Sequence, residues 1–408
     1  MVLMRALRIA LGAALCLAAI SCGGSGGSGT SSPPPPPPPP PTSNVAAVIV
    51  DQGPSNQSVN ALFTSVTVCV PGSTSCQTID RIQVDTGSYG LRLLAPPLTL
   101  TLPVETFANG NSLVECTQFA DGFSWGSVVT ADIQIAGETA KSLPLQVIGD
   151  SRFPTIPAVC SGTGTEEDSV KAFGANGILG IGPFEFSCGD CDTNTHSSNP
   201  VYYACGTTCV ATLVPTAMQE PNPVTRFAAD NNGSIVDLPS VASTGAVTLS
   251  GSLIFGIDTQ SNNKSGTQTV LTVDQNAELV MTFNGQTLAK SFIDSGSNAI
   301  FFADGNIAPC MTTDTGFYCP GNTLTLGPLS IQGQNGVMVN NLTFGVGNAQ
   351  TMLQTNPNFN VLPELAGTLP TGLTGTFDYG LAFFYGKRVA VAVEGKTTSV
   401  GTGPYIAF

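Results

Sequence analysis

The sequence has almost no histidine: His196 is the only one in 408 residues. Ser-His-Asp and Cys-His catalysis, and most zinc catalysis, depend on histidine. His196 lies in a Ser- and Asn-rich stretch, residues 192–199, whose composition is typical of a solvated loop. We therefore expect any chemistry of this chain to use carboxylates, with no metal and no cofactor.

Charged residues are also scarce, at 10% of the chain, and 13 Lys and Arg face 27 Asp and Glu for a net charge of −14. Such a chain repels phosphate backbones, so we predict no nucleic-acid partner. Long surface helices need charged faces, and the 46 glycines and 30 prolines break helices. The composition therefore predicts an all-β protein with many turns and little helix.

The sequence has no apolar run long enough to cross a bilayer. The apolar residues 9–20 follow Arg5 and Arg8, which together indicate an export signal over residues 1–22. The signal ends in Ala19-Ile20-Ser21-Cys22, which resembles the lipobox of bacterial lipoproteins. The resemblance implies that Cys22 becomes the acylated N-terminus, and the glycine after it favours the outer membrane of a bacterial cell envelope. An ordinary secretory signal with an unrelated cysteine is the alternative.

Residues 23–44 form a Gly/Ser-rich segment that runs into nine consecutive prolines, residues 33–41. Gly/Ser segments are flexible, whereas a proline run forms a stiff spacer that rises ~3.1 Å per residue. This combination suits a tether that holds a globular domain away from a surface. We therefore predict that lipidated Cys22 and this tether attach the protein to a membrane.

Ten cysteines follow residue 22. An even number in an exported chain predicts five disulfides. Close spacing favours Cys69–Cys76 and Cys310–Cys319 as local bridges.

A second group of cysteines has the spacing of a zinc ribbon: Cys188, Cys191, Cys205 and Cys209. Because export leads to an oxidising compartment, we prefer disulfides over a zinc site for this group.

Two segments of the sequence repeat one pattern, an apolar strand that ends in Asp, a hydroxyl residue, Gly and Ser. They are Asp85-Thr86-Gly87-Ser88 and Asp294-Ser295-Gly296-Ser297. Gly permits a sharp turn that brings backbone N–H groups near the carboxylate. If two such turns face each other, the like charges share one proton. One carboxylate then activates a bound water while the other protonates a carbonyl. Two unrelated surface turns are the alternative interpretation.

The two segments resemble the active-site loops of the pepsin-like aspartic peptidases. The resemblance implies that Asp85 and Asp294 form the catalytic pair. It also implies that Thr86 and Ser295 exchange reciprocal hydrogen bonds beneath the pair. The remaining residues of the two loops support the pair by the same resemblance: Gly87, Ser88, Gly296 and Ser297.

Residues 176–182 and 378–385 resemble the two segments that brace the active-site loops in this family. The resemblance implies a bilobal fold of two related β-barrel-like lobes with the active cleft between them. The implied lobes are residues 45–240 and residues 241–408. The lipobox, the tether and residues 377–386 more narrowly resemble a bacterial lipoprotein family of undefined function that carries this fold.

The sequence departs from the family pattern in two places. In the region of the flap hairpin, where the family has a tyrosine, the chain offers Phe119, Phe123 and Trp125. Trp125 is either a substitute hydrogen-bond donor or part of the core, and burial is the usual role of a lone Trp. The second brace has Asp378 and Tyr379 where the family has two aliphatic residues.

Short apolar or alternating runs predict strands throughout the chain. They are residues 45–50, 62–70, 133–136, 143–148, 246–255, 279–283 and 389–393. Residues 200–230, with 208–219 at their centre, are the segment that we expect to be helical.

These features together predict a monomeric, membrane-anchored aspartic endopeptidase that hydrolyses a peptide or protein substrate. The altered flap and brace favour an alternative from another class, a peptide- or protein-binding envelope lipoprotein that keeps the fold without turnover. An adhesin or structural envelope protein, suggested by the tether and the acidic surface, ranks last.

Overall fold

The structure is a computed structural model that describes residues 44–120, 122–369 and 373–408. Strands make up 42% of the chain and helices 7%, which confirms the all-β class predicted from composition. The strands, numbered β1 to β25 in chain order, are Val45–Val50, Leu62–Cys69, Cys76–Asp85, Tyr89–Leu94, Ser112–Gln118, Gly122–Ile135, Glu138–Ile148, Thr165–Glu166, Gly177–Ile181, Tyr202–Cys205, Cys209–Ala211, Gly233–Asp237, Leu249–Phe255, Val270–Thr272, Leu279–Phe283, Gln286–Ile293, Ile300–Phe301, Leu324–Gln332, Met338–Val346, Ala366–Gly367, Asp378–Tyr379, Arg388–Ala392, Thr397–Thr398, Gly401–Thr402 and Tyr405–Ala407.

Helical structure in the described part of the chain is short. The α-helices α1 to α3 are Ala158–Ser161, Val170–Phe173 and Ala349–Thr355, and the 3-10 turns are Thr216–Met218, Pro223–Arg226 and Leu381–Phe384. Among the described residues, no helix combines the length and apolar character that crossing a bilayer requires.

The predicted helix at residues 208–219 is wrong. Strands β10 and β11 form an antiparallel hairpin there, with Cys205 opposite Cys209 and a disulfide between the two. Pro215 then lacks the N–H that a continuing helix needs, and up to residue 230 only two short 3-10 turns follow it. The covalent closure and the pairing of β10 with β5 therefore override the weak local helix preference.

Each run predicted as a strand overlaps an observed strand, and β1 and β15 have the predicted bounds. The turn at Asn284 and Gly285 joins β15 to β16, with Phe283 opposite Gln286. Both turn residues have positive φ, 51° and 73°. A two-residue hairpin whose twist matches its strands needs this conformation, which Asn-Gly adopts readily.

The strands form sheets of 16, seven and two strands. The largest has the order β11-β10-β5-β6-β7-β4-β9-β3-β2-β1-β13-β12-β22-β25-β14, with β8 beside β6, and the second has the order β19-β18-β15-β16-β21-β17-β20. Strand β13 pairs with both β1 and β12, so segments distant in sequence share one sheet. The predicted boundary between residues 240 and 241 falls in the loop between β12 and β13, and the lobe division stays a prediction.

The ten cysteines of the described chain form five disulfides, which confirms that prediction. They are Cys69–Cys76, Cys116–Cys160, Cys188–Cys191, Cys205–Cys209 and Cys310–Cys319. The two predicted local bridges are among them. Disulfides in this number are typical of an extracellular or periplasmic protein.

Candidate active site

The two Asp-Gly loops lie at the ends of strands with the same connectivity. Strand β3 ends at Asp85 and runs parallel to β9, with Asp85 opposite Gly180. Strand β16 ends just before Asp294 and runs parallel to β21, with Ile293 opposite Tyr379. The strand after each loop, β4 or β17, pairs antiparallel with the same partner strand, β9 or β21. Each carboxyl is therefore delivered by a three-strand unit, and β9 and β21 act as braces.

The two loops meet closely enough that each glycine faces the carboxyl of the other loop. A Cβ atom on Gly87 would lie 2.6 Å from Cγ of Asp294. A Cβ atom on Gly296 would lie 2.4 Å from Oδ1 of Asp85 and 3.1 Å from Oδ1 of Asp294. Only glycine fits such an approach, so both carboxyl groups border the same small space.

Each carboxylate receives hydrogen bonds from its own loop. The backbone N–H of Gly87 donates to Oδ1 of Asp85 at 2.8 Å, and the Ser88 hydroxyl donates to Oδ2 of Asp85.

The second loop repeats the pattern. The N–H of Gly296 donates to Oδ1 of Asp294 at 2.7 Å, and the Ser297 hydroxyl donates to Oδ2 of Asp294 at 3.1 Å. Both acids are therefore held by equivalent donors.

Beneath the pair, the loops exchange hydrogen bonds. The N–H of Thr86 donates to Oγ of Ser295 at 3.1 Å, and the N–H of Ser295 donates to Oγ1 of Thr86 at 2.9 Å. The Ser295 hydroxyl in turn donates to the carbonyl oxygen of Val84 at 2.9 Å. These buried bonds cross from one loop to the other and fix their relative position, in the arrangement that the family resemblance implies.

Both aspartates are buried, with 0% of Asp85 and 0% of Asp294 exposed. Burial, followed by the charge of Asp85, raises the pKa of Asp294 well above its usual range. A hydrogen bond between the two carboxyls adds to this rise in pKa. The pair therefore retains a proton under conditions where an exposed pair would be fully ionised.

A cleft of about 690 Å³ opens beside the pair. Its walls come from the first loop, from the strand β16 that leads into the second loop, and from neighbouring segments. They include Thr86, Gly87, Tyr89, Phe184, Phe292 and Ile293. Glu278, Lys290 and Glu394 add charged groups to walls that carry both apolar and polar side chains. This volume and lining are typical of a pocket for an organic ligand.

The three flap candidates lie on or beside the hairpin of β5 and β6. Phe119, at its tip, packs edge-to-face on Phe173 at 5.9 Å between ring centroids. Phe123 is 2% exposed, and Trp125 is 3% exposed and packs edge-to-face on Tyr203.

The Trp125 indole N–H donates to the carbonyl oxygen of Phe153 at 2.9 Å. Trp125 therefore belongs to the core, and its donor is already used. None of the three flap candidates is among the described residues that line the cleft.

A buried ionic network behind the first loop was not predicted from the sequence. The Arg92 guanidinium donates to Glu115 at 2.7 Å, to Thr117 at 2.8 Å and to the carbonyl oxygen of Tyr89 at 2.5 Å. Burial, then the charge of Glu115, raises the pKa of neighbouring Glu220 well above its usual range. The network ties the cleft residue Tyr89 to β5, the first strand of the flap hairpin.

One group in the described chain has the spacing of metal ligands: Cys188, Cys191 and His196, with candidate ligand atoms within 4.8 Å of one another. The two sulfurs are joined in a disulfide and are not thiolates. Disulfide pairing of Cys205 with Cys209 likewise occupies the other half of the zinc-ribbon spacing.

The fold that this geometry defines is the pepsin-like aspartic proteinase fold. The chain is similar to the crystal structure of the aspartic proteinase from Irpex lacteus, with a TM-score of 0.51. The sequence identity is 16%, and the alignment covers 89% of this chain and 96% of that chain. A likeness at this identity shows the fold alone.

The chain belongs to the family described as "Protein of unknown function (DUF3443)", whose model matches residues 40–408. No curated protein sequence matches the chain. The signal, the lipobox with Cys22 and the proline tether lie outside the described residues, and the lipoprotein assignment stays a prediction.

Proposed function

We propose that the protein is an aspartic endopeptidase in which Asp85 and Asp294 act on a bound water. The observation that carries the proposal is the approach of the two carboxyls across Gly87 and Gly296, each held by equivalent donors. A purely structural role would not require two buried acids side by side, because burying a carboxylate without a positively charged partner lowers the stability of the fold.

In the proposed reaction the raised pKa of Asp294 makes it the holder of the shared proton. Asp85 accepts a proton from the water, whose oxygen adds to the carbonyl carbon of the peptide. Asp294 donates its proton to the carbonyl oxygen, which gives a neutral tetrahedral diol. Asp85 then passes its proton to the peptide nitrogen while Asp294 takes a proton back from one diol hydroxyl, so the C–N bond breaks, an acid and an amine leave, and the pair regains its starting state.

The neighbouring cleft supports a peptide as the substrate. Its aromatic lining, from Tyr89, Phe184 and Phe292, suits an apolar side chain next to the scissile bond. Lys290 and Glu278 suit polar groups farther along the peptide. We propose that the protein acts on such substrates as a monomer.

One observation favours a second function, peptide binding without turnover. The flap tip carries Phe119, which has no hydroxyl, and the nearby Trp125 N–H already bonds to Phe153. A flap without a free donor stabilises a tetrahedral intermediate less. Slow or absent hydrolysis with retained peptide binding is the outcome that this second function predicts.

The test compares purified wild-type protein with Asp85→Asn and Asp294→Asn on a mixed peptide library, from acidic to neutral pH. Loss of a general acid or base typically costs about 10²–10⁴-fold in rate, so each variant should lose nearly all cleavage. Asp192→Asn, which changes an exposed loop carboxyl, is the matched control. Equal cleavage by all proteins, or none by the wild type, would refute the peptidase.

We also propose that lipidated Cys22 anchors the protein in the outer membrane of a bacterial envelope, with residues 23–44 as the tether. The export of the chain is supported by its five disulfides. The Cys22→Ala substitution should move the protein from the membrane fraction to the soluble exported fraction, which fractionation of cells that express the variant measures. An unchanged distribution would exclude the lipid anchor.

A further inference from the structure

A third acidic side chain, Asp378, is buried beside the pair. It lies in β21, the brace of the second loop, and is 0% exposed. The register sets Asp378 opposite Phe292 in parallel β16, and the next residue, Tyr379, opposite Ile293. Because Phe292 precedes Asp294 by two residues, Asp378 lies beside the strand two residues before Asp294.

Among the described residues, the groups that face Asp378 from the two paired strands carry no positive charge. Strand β16 contributes Phe292 and β17 contributes Phe301, both apolar. Among the described residues, Asp85 is the titratable group that repels the ionised form of Asp378, and ionised Asp378 in turn repels a charge on Asp294.

Polar support for Asp378 is also weak. Within the described chain, neither of its carboxyl oxygens has a hydrogen-bond partner. The Ser297 hydroxyl is near enough to lower the pKa of Asp378, but its hydrogen bond is made to Asp294 at 3.1 Å.

Two other buried carboxylates of this protein, unlike Asp378, have a cationic partner in the described part of the chain. Asp132 pairs with Lys141 at 2.9 Å, and Asp150 pairs with Arg152 at 2.6 Å. Burial opposes the charge of both acids, yet hydrogen bonds from their partners outweigh it and lower their pKa values. Asp378 has no such partner in the described residues, so its environment favours the neutral carboxyl.

We propose that Asp378 is a positioning residue for the catalytic pair, a third carboxyl that ionises before Asp294 and whose negative charge then keeps the shared proton on Asp294. This inference rests on the proposed function of the pair. Burial and the charge of Asp85 are the larger causes of the raised pKa of Asp294, and the charge of Asp378 is the next. Three neighbouring carboxyls release their protons in succession, so the active protonation state persists to higher pH.

The direct test is the pH profile of peptide cleavage by Asp378→Asn. Removing the third acid lowers the pKa of Asp294, so the decline of kcat/KM at high pH should begin at lower pH. We expect a shift of about one pH unit, equal to about a tenfold loss on the high-pH side, with KM nearly unchanged. The Asp192→Asn control should keep the wild-type profile. An unchanged high-pH decline in Asp378→Asn would overturn the proposal.

A second measurement separates this inference from the proposed function, because it needs no activity. The pKa of Asp378 in the folded state is raised by burial. Below about pH 3.9 both states bind the proton, and above it the unfolded state releases it first. Folded-state stability therefore falls as pH rises, until the pH passes the folded-state pKa.

Chemical denaturation gives the free energy of unfolding at each pH. Its downward slope with rising pH should correspond to one proton fewer in Asp378→Asn than in the wild type. The unfolding equilibrium constant of the variant, relative to that of the wild type, should fall by up to about tenfold for each unit of rising pH. Asp378→Ile, which copies Ile178 of the first brace, gives the same readout if the Asn variant does not fold. The double variant with Asp294→Asn should show less than the sum of the two pH effects. Additive effects, or an unchanged pH slope, would refute the coupling even if no variant cleaves peptides.

Discussion

The two aspartate units of this molecule have the same connectivity, but the braces behind them differ in chemistry. In the first unit β9 sets Ile178 opposite Gln83 and Leu179 opposite Val84. In the second unit β21 sets Asp378 opposite Phe292 and Tyr379 opposite Ile293.

The loops themselves are nearly identical in their hydrogen bonds, so the carboxyls are positioned alike. What differs is the charge that each brace brings. In this fold the loop after the strand positions each carboxyl through its hydrogen bonds. The residue in the neighbouring brace strand adjusts how readily that carboxyl ionises. Four sets of substitutions test this difference between the two units and the effect of a residue's surroundings on its carboxyl.

Ile178→Asp would give the first brace the acid that the second one has. Ile178 is 0% exposed and packs among apolar residues that include Phe63 and Leu94. Burying a polar group without a partner costs about 2–7 kcal/mol, which is comparable with the whole stability of a domain, about 5–15 kcal/mol. We expect little folded protein by circular dichroism, whereas Ile178→Leu should cost less than about 1.5 kcal/mol. A well-folded Ile178→Asp protein would show that the braces are interchangeable.

Gly87→Ala and Gly296→Ala test whether the loops are equivalent. Each new Cβ would meet the opposite carboxyl at 2.6 Å or less. We expect both to lose about 1–3 kcal/mol in denaturant unfolding and to cut peptide cleavage by about 10²-fold, because the carboxyls must separate.

The control for the glycine pair is Gly305→Ala, since a Cβ atom there meets nothing within 4 Å. Normal activity in either Gly87→Ala or Gly296→Ala would contradict the close approach of the two loops.

The hydrogen bonds beneath the pair are not symmetric in number. Thr86→Val leaves the buried N–H of Ser295 without its acceptor. Ser295→Ala leaves the N–H of Thr86 without its acceptor and also removes the hydrogen bond to the carbonyl oxygen of Val84. Each unsatisfied buried group costs about 1–3 kcal/mol, so Ser295→Ala should be the more destabilising in denaturant titrations. Ser198→Ala, an exposed change, should stay within about 0.5 kcal/mol. The reverse order for the two loop variants would be incompatible with this network.

The pKa of Asp258 is lowered in the folded state whereas that of Asp294 is raised, so the two residues change stability with pH in opposite directions. Partial burial opposes its charge, but hydrogen bonds from Ser265 and Ser399 outweigh this and lower the pKa of Asp258 to about 2. Its contribution is present above about pH 3.9 and disappears as the pH falls through 2. Because Asp258 is largely solvated, Asp258→Asn should cost less than about 1 kcal/mol at neutral pH and nothing in strong acid. Thermal unfolding at both pH values measures this difference, and an equal cost at both would rule it out.

The sequence predicted the fold well because its signals are local. Asp-hydroxyl-Gly-Ser turns, the Asn284-Gly285 hairpin and short cysteine spacings each need only a few neighbouring residues. The strand runs were predicted for the same reason.

Features that depend on distant partners were not predicted. Nothing local links Arg92 to Glu115 before β5 and β4 are brought into one sheet. The hairpin at β10 and β11 also depends on β5, which is why a helix was expected there. Asp378 was visible as a departure from the family pattern, but its lack of a partner is a property of packing.

The central claim is that Asp85 and Asp294 form one competent pair. Calorimetric binding of a statine-type peptide inhibitor, which mimics the tetrahedral intermediate, tests it most directly. Such mimics gain about 10²-fold or more over substrates from the groups that stabilise the transition state. The account predicts binding of one inhibitor per wild-type chain and at least about 10²-fold weaker binding to Asp85→Asn and to Asp294→Asn. Equal affinity for all three proteins, or no binding by the wild type, would contradict it.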